Sequence, residues 1–123
     1  MSAANQAFPE IPGVNVEEGL GRLRGNAMLY KKLLLVLVKN VEDELAHYAE
    51  PPAEDKREEL HAAAHKLKGA SANLSAFKLS QAATAFDDLV RNPEIPFATA
   101  LEKLPAYLDA CKEYLENVKV LGA

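Results

Sequence analysis

HAAAHKLKGASANLS, residues 61–75, is the stretch from which the rest of the chain is read. On an α-helix successive side chains turn by about 100°, so Leu60, Ala63, Leu67, Ala70, Ser71 and Leu74 fall within roughly ±60° of one direction. That is an apolar stripe of the width a bundle helix buries. His65 points roughly 160° away from it. Its neighbours one turn off are His61, Lys68, Gly69 and Ala72, and Lys66 follows it directly. The imidazole is therefore expected on an open face beside a residue with no side chain, a poor place for a structural histidine and a good one for a nucleophile that another protein must reach.

Upstream, Pro51 and Pro52 precede this helix, which is expected to start near Ala53 with Glu54 and Asp55 in its first turn, where the macrodipole favours acids. Asn26 can cap a second helix running to about Ala49. Its core face is Tyr30, Leu34, Leu37, Val41, Leu45 and Tyr48, stepping by three and four. Leu29, Leu33 and Val36 form a second stripe that could receive the preceding helix or a partner, the preceding helix being the expected occupant. That first helix, about Val16 to Arg24, has Asn15 and Glu18 as an N-cap signature and Gly25 as terminator. Gly19 and Gly21 weaken it by about 1 kcal/mol each. Residues 1–14, with Pro9, Pro12 and Gly13, read as an extended lead-in.

Downstream, Ser75 is expected to cap a fourth helix, about Ala76 to Arg91, with a stripe of Leu79, Ala82, Ala83, Phe86, Leu89 and Val90. After the Asn92-Pro93 loop, a last helix of about Phe97 to Leu121 carries Phe97, Leu101, Leu104, Leu108, Cys111, Leu115 and Val118. The apolar phase continues across Pro105, which predicts a kinked or locally broken helix. No strand alternation and no internal repeat occurs. The expected fold is all-α: an antiparallel four-helix bundle, one domain over residues 15–121, with the short first helix packed across one end.

A chain of 123 residues can build a real core without staples, and its 49% apolar and 26% charged residues are ordinary for a globular domain. The net charge of −4 argues against nucleic acid as the main partner. Cys111 is the one cysteine and reads as an apolar filler on the last stripe. The most apolar run, Leu33 to Val38, is far shorter than the roughly 18 to 20 residues a bilayer requires. With no basic, then apolar, leader at the N-terminus, a cytoplasmic location is expected.

His61 and His65, four apart, have the geometry of a two-histidine metal grip, but Ala62, Ala63 and Ala64 leave no glutamate for metalloprotease chemistry. Zinc would want further ligands. Glu58 is the nearby candidate on that face, and Lys68 would repel a cation. His47 reads as a solvated helix-end histidine. Lys66 and Lys68 around an exposed ring favour an anion there. No hydrolase triad and no phosphate-cradling glycine loop occurs.

AHKLKGASANLSAFKL, Ala64 to Leu79, resembles the histidine-containing phosphotransfer (HPt) domain motif, in which the phosphorylated histidine begins an H-x-L-K-G run, here His65, Lys66, Leu67, Lys68 and Gly69. IPGVNVEEGLGRLRGNAMLYKKLL, Ile11 to Leu34, is similar to the first two helices of such domains, and the likeness extends to about Val90. Ser75 departs from the glycine the family often has in the turn before the next helix. The resemblance implies a module whose His65 accepts a phosphoryl group from the aspartate of one receiver domain and passes it to another, with no nucleotide or metal site of its own. It implies Asp87 as the residue orienting the imidazole, where the family more often uses Gln or Glu. Lys68 and Lys66 would then screen the phosphoryl oxygens as point charges, and Gly69 would give clearance. Mg²⁺ would be supplied by the receiver partner, of a response regulator or hybrid kinase. A monomer is expected, without nucleic-acid or membrane partners. The alternatives are a helical interaction module and a metal-binding bundle using His61 and His65.

Overall fold

Asn15 and Asn26 open helices in the computed structural model, each side chain accepting a backbone N–H three residues on, from Glu18 and Leu29, at 3.1 Å. The structure describes residues 8–122, so the first half of the expected lead-in lies outside it. The helices are α1 (Val16–Arg22), α2 (Ala27–Ala46), α3 (Arg57–Asn73), α4 (Phe77–Val90), α5 (Phe97–Ala100) and α6 (Leu104–Asn117). Single 3₁₀ turns occupy Glu54–Lys56, Leu101–Lys103 and Val118–Leu121. No strand occurs among the described residues. Helices α2, α3, α4 and α6 form the antiparallel four-helix bundle.

The short α1 lies across the end of the bundle where α2 begins and α3 turns into α4. Tyr30 of α2 is wholly buried against Gly19 and donates its hydroxyl to the Leu74 carbonyl at 2.7 Å. The Asn15 N–H donates to the Ser75 carbonyl at 2.8 Å, and Arg22 reaches the Ala72 carbonyl at 3.2 Å. Ser75 does not cap α4. It adopts a left-handed φ of 59°, which a glycine enters without steric cost, and its hydroxyl donates instead to Glu18 at 2.7 Å. Part of the lead-in joins this clamp, with Ile11 in the core and Phe8 against the Tyr30 ring. Seven residues of α1 are too few to cover the second stripe of α2, and Met28, Leu29 and Val36 remain exposed.

Two stripes shift from their expected positions. The innermost residues of the last segment are Tyr107, Cys111, Tyr114, Val118 and Leu121, with Leu104 and Leu115 packed at the edges and Leu108 only partly buried. Tyrosines can take the centre because their hydroxyls find acceptors: Tyr107 donates to Glu44 at 2.7 Å and Tyr114 to the Leu34 carbonyl at 2.6 Å. The helix is broken as Pro105 required, with the turn at Leu101–Lys103 and the proline in the first turn of α6, where its missing N–H leaves no bond unmade. On α3 the buried line is Leu60, Ala64, Leu67 and Ser71, Ala63 being only half-buried. This rotates the core direction by about 40° toward His61 and Lys68. His65 therefore stands at the rim of the α3–α4 contact rather than opposite it.

The lower end of α4 is fixed by an arginine that sequence reading passed over. Arg57 donates from Nε to the Val90 carbonyl at 2.6 Å and from Nη2 to Asn92 and Ile95 at 2.6 and 2.7 Å. A guanidinium there meets both the orphan carbonyls and the negative end of the α4 dipole. Burial pushes the Cys111 thiol up to about 12, with the Glu44 charge adding to it, so the cysteine is the inert filler its stripe suggested. No helix among the described residues is long and apolar enough to cross a membrane.

Candidate functional site

Helices α3 and α4 make the most extensive contact in the bundle. Small wholly buried residues, Ala64 and Ser71 on α3 and Ala83 on α4, let the two backbones approach closely. The Ser71 hydroxyl is satisfied within its own helix by the Leu67 carbonyl at 2.7 Å. At this separation a side chain as short as aspartate spans the gap. Asp87 is fully buried on the α4 stripe, between Ala83 and Val90, and its carboxylate faces three side chains of α3.

His61 Nδ1 lies 2.5 Å from Asp87 Oδ1, a short charge-assisted hydrogen bond. His65 Nδ1 is 3.5 Å and Lys68 Nζ 3.6 Å from the other oxygen, Oδ2, which has no hydrogen-bond partner. Buried carboxylate oxygens left without a bond are costly, so Oδ2 draws on both groups. The His65 side chain remains 61% exposed, against 31% for His61 and 25% for Lys68. With Nδ1 turned inward, Nε2 is the nitrogen presented outward. A Cβ built on Gly69 meets nothing within 4 Å, so the space one turn beyond His65 is open.

His65, Lys68, Gly69 and Asp87 thus come together. Lys66 does not. It lies on the other side of α3, with His47 and Asn40 along the groove toward α2. His47 caps the end of α2, half exposed, with Nδ1 4.0 Å from Glu44. The Nδ1 atoms of His61 and His65 both face the Asp87 carboxylate. Among the described residues no group of three or more His, Cys, Asp or Glu is arranged to hold a metal ion.

Besides Arg57, two further features of this architecture escaped sequence reading. One is the contact between His61 and Asp87. The other is Glu44, buried on the α2 stripe with Oε2 accepting from Tyr107 and Oε1 unpartnered; burial raises its carboxyl above the ordinary range, against the lowering effect of Tyr107 and His47. In both cases a signal existed, since an acid on an apolar stripe is rarely buried without a partner.

The family model described as Hpt domain matches residues 32–119, more than half of the chain. No curated protein and no solved structure matches the chain.

Proposed function

Because the chain belongs to the Hpt domain family, which implies histidine phosphotransfer in phosphorelays with receiver domains as partners, we propose that His65 is its phosphoryl-carrying residue. One observation supports this reading above the others: an exposed imidazole whose Nδ1 faces the open oxygen of a buried aspartate, with a lysine at the same oxygen. An N–H at Nδ1 leaves the lone pair on Nε2.

In the forward step the Nε2 lone pair attacks the phosphorus of a receiver's aspartyl phosphate in line. The N–P bond forms as the aspartyl O–P bond breaks, and that electron pair returns to the receiver carboxylate. No proton need leave Nε2, and the positive charge that develops on the ring lies beside Asp87. The reverse of the same step delivers the phosphoryl group to a second receiver. Phosphoryl transfer depends chiefly on positioning and charge neutralisation. Lys68 can turn from Asp87 toward the phosphoryl oxygens, and the bare Gly69 surface leaves room for the receiver's loops. Mg²⁺ bound to the receiver would neutralise charge on the transferring group. Lys66, on the far side of α3, is assigned to partner contact rather than to the transferring group.

Incubation with a phosphorylated receiver domain tests the proposal. Acid-labile, alkali-stable phosphate should appear on the chain and vanish in His65→Gln. Label that survives the substitution would remove His65 from the role.

A further inference from the structure

Asp87 can orient His65 only if its own carboxylate is held, and among the described residues His61 makes the one hydrogen bond to that side chain. A carboxylate turns about a broad, roughly two-fold torsion, so an unheld one does not keep a chosen oxygen on a chosen target. Lys68 competes for the same carboxylate from 3.6 Å and carries a long flexible stem. The 2.5 Å bond from the stiff His61 ring to Oδ1 fixes the plane, and Oδ2 is left facing His65 Nδ1. The two rings lie one helical turn apart, 5.7 Å between centroids, and do not bond one another.

We infer that His61 is a positioning residue for phosphotransfer: it clamps Asp87 so that the free oxygen selects the Nδ1–H tautomer of His65 and presents Nε2 to the receiver. This rests on the reading of His65 as the phosphoryl acceptor. The role belongs to the donor atom at the δ position, not to charge or ring size. Asparagine places an N–H₂ at that position and should replace it; alanine and leucine should not, leucine filling the space if alanine does not fold.

Ring ¹⁵N NMR of the unphosphorylated full chain, at a pH where His65 is neutral, reads the tautomer directly. Wild type and His61→Asn should show His65 protonated at Nδ1 and bare at Nε2, whereas His61→Ala and His61→Leu should show a mixture shifted toward Nε2–H. Phosphorylation by phosphoramidate, a small donor that needs no receiver, should slow on the order of tenfold in the Ala and Leu variants, the loss expected for one hydrogen bond to a charged group, and recover in His61→Asn. An unchanged His65 tautomer in folded His61→Ala or His61→Leu would overturn the inference, and so would a His61→Asn variant that behaves like them. If label survives His65→Gln, the functional reading fails by itself, and the tautomer spectra still decide whether His61 clamps Asp87.

Discussion

Gly19 and Gly21 stand two residues apart in α1, and replacing each by alanine should move stability in opposite directions. A Cβ on Gly19 would come within 2.6 Å of Tyr30 Cε1 and closer still to its Cζ and hydroxyl oxygen. The Tyr30 ring is wholly buried and cannot swing aside without leaving its bond to the Leu74 carbonyl. Overpacking of this kind costs about 1–3 kcal/mol, and the lost hydrogen bond about another 1 kcal/mol. Alanine's helix propensity returns about 1 kcal/mol, leaving Gly19→Ala destabilised by about 1–3 kcal/mol. A Cβ on Gly21 meets nothing within 4 Å, so there the propensity gain of up to about 1 kcal/mol stands alone.

Urea unfolding followed by circular dichroism at 222 nm should separate the variants by about 2–4 kcal/mol, a spread of roughly 8–16 °C in melting temperature for a domain of this size. In a Tyr30→Leu background the Gly19 penalty should disappear, since the shorter side chain vacates the space. Equal effects at the two glycines, or a stabilised Gly19→Ala, would refute the packing of α1 on Tyr30. The perturbation also reaches the site, because Tyr30, Asn15 and Glu18 together hold the Leu74–Ser75 turn that sets α4 against α3.

Gly69→Ala should raise stability by up to about 1 kcal/mol, and Gly69→Gln should stay folded while slowing transfer from a receiver sharply; unfolding of either would mean that Gly69 faces another helix. Lys68→Ala should slow phosphotransfer and cost about 1–3 kcal/mol of urea stability, since the buried Asp87 Oδ2 loses a cation while Oδ1 keeps its bond to His61; unchanged transfer rates would make Lys68 a bystander. Glu44 has a carboxyl raised by burial, so its contribution to stability is complete below the ordinary glutamate pKa of about 4.3 and is lost as pH rises through the higher folded value. Glu44→Gln, which still accepts from Tyr107, should therefore gain on wild type between acid and neutral pH and converge with it at low pH; parallel melting curves across that range would refute it.

Much of this protein follows from local rules that act within a few residues. The asparagine caps, the proline boundaries and the three-and-four spacing of apolar residues determine the helices and their order, because each depends only on backbone geometry close in sequence. The run His65 to Gly69 likewise marks the candidate site, since one helix sets its spacing. What the sequence left open depends on the neighbour each face meets. Spacing alone left the α3 stripe free by some tens of degrees, and only packing on α4 turned His65 from an isolated ring into one beside Asp87. Tyr107 and Tyr114 outrank leucines for the centre because Glu44 and the Leu34 carbonyl stand opposite them, a fact held on another helix. Ser75 looked like a cap for α4, but its left-handed backbone closes α3, with the Ala76 N–H on the Ser71 carbonyl, and only the partner of its hydroxyl, Glu18, is decided 57 positions away. Gly19 carried the same propensity cost as Gly21, and the Tyr30 ring alone made one of them indispensable. His61 gained its partner in the same way, since a hydrogen bond across 26 residues of chain exists only once two helices have met.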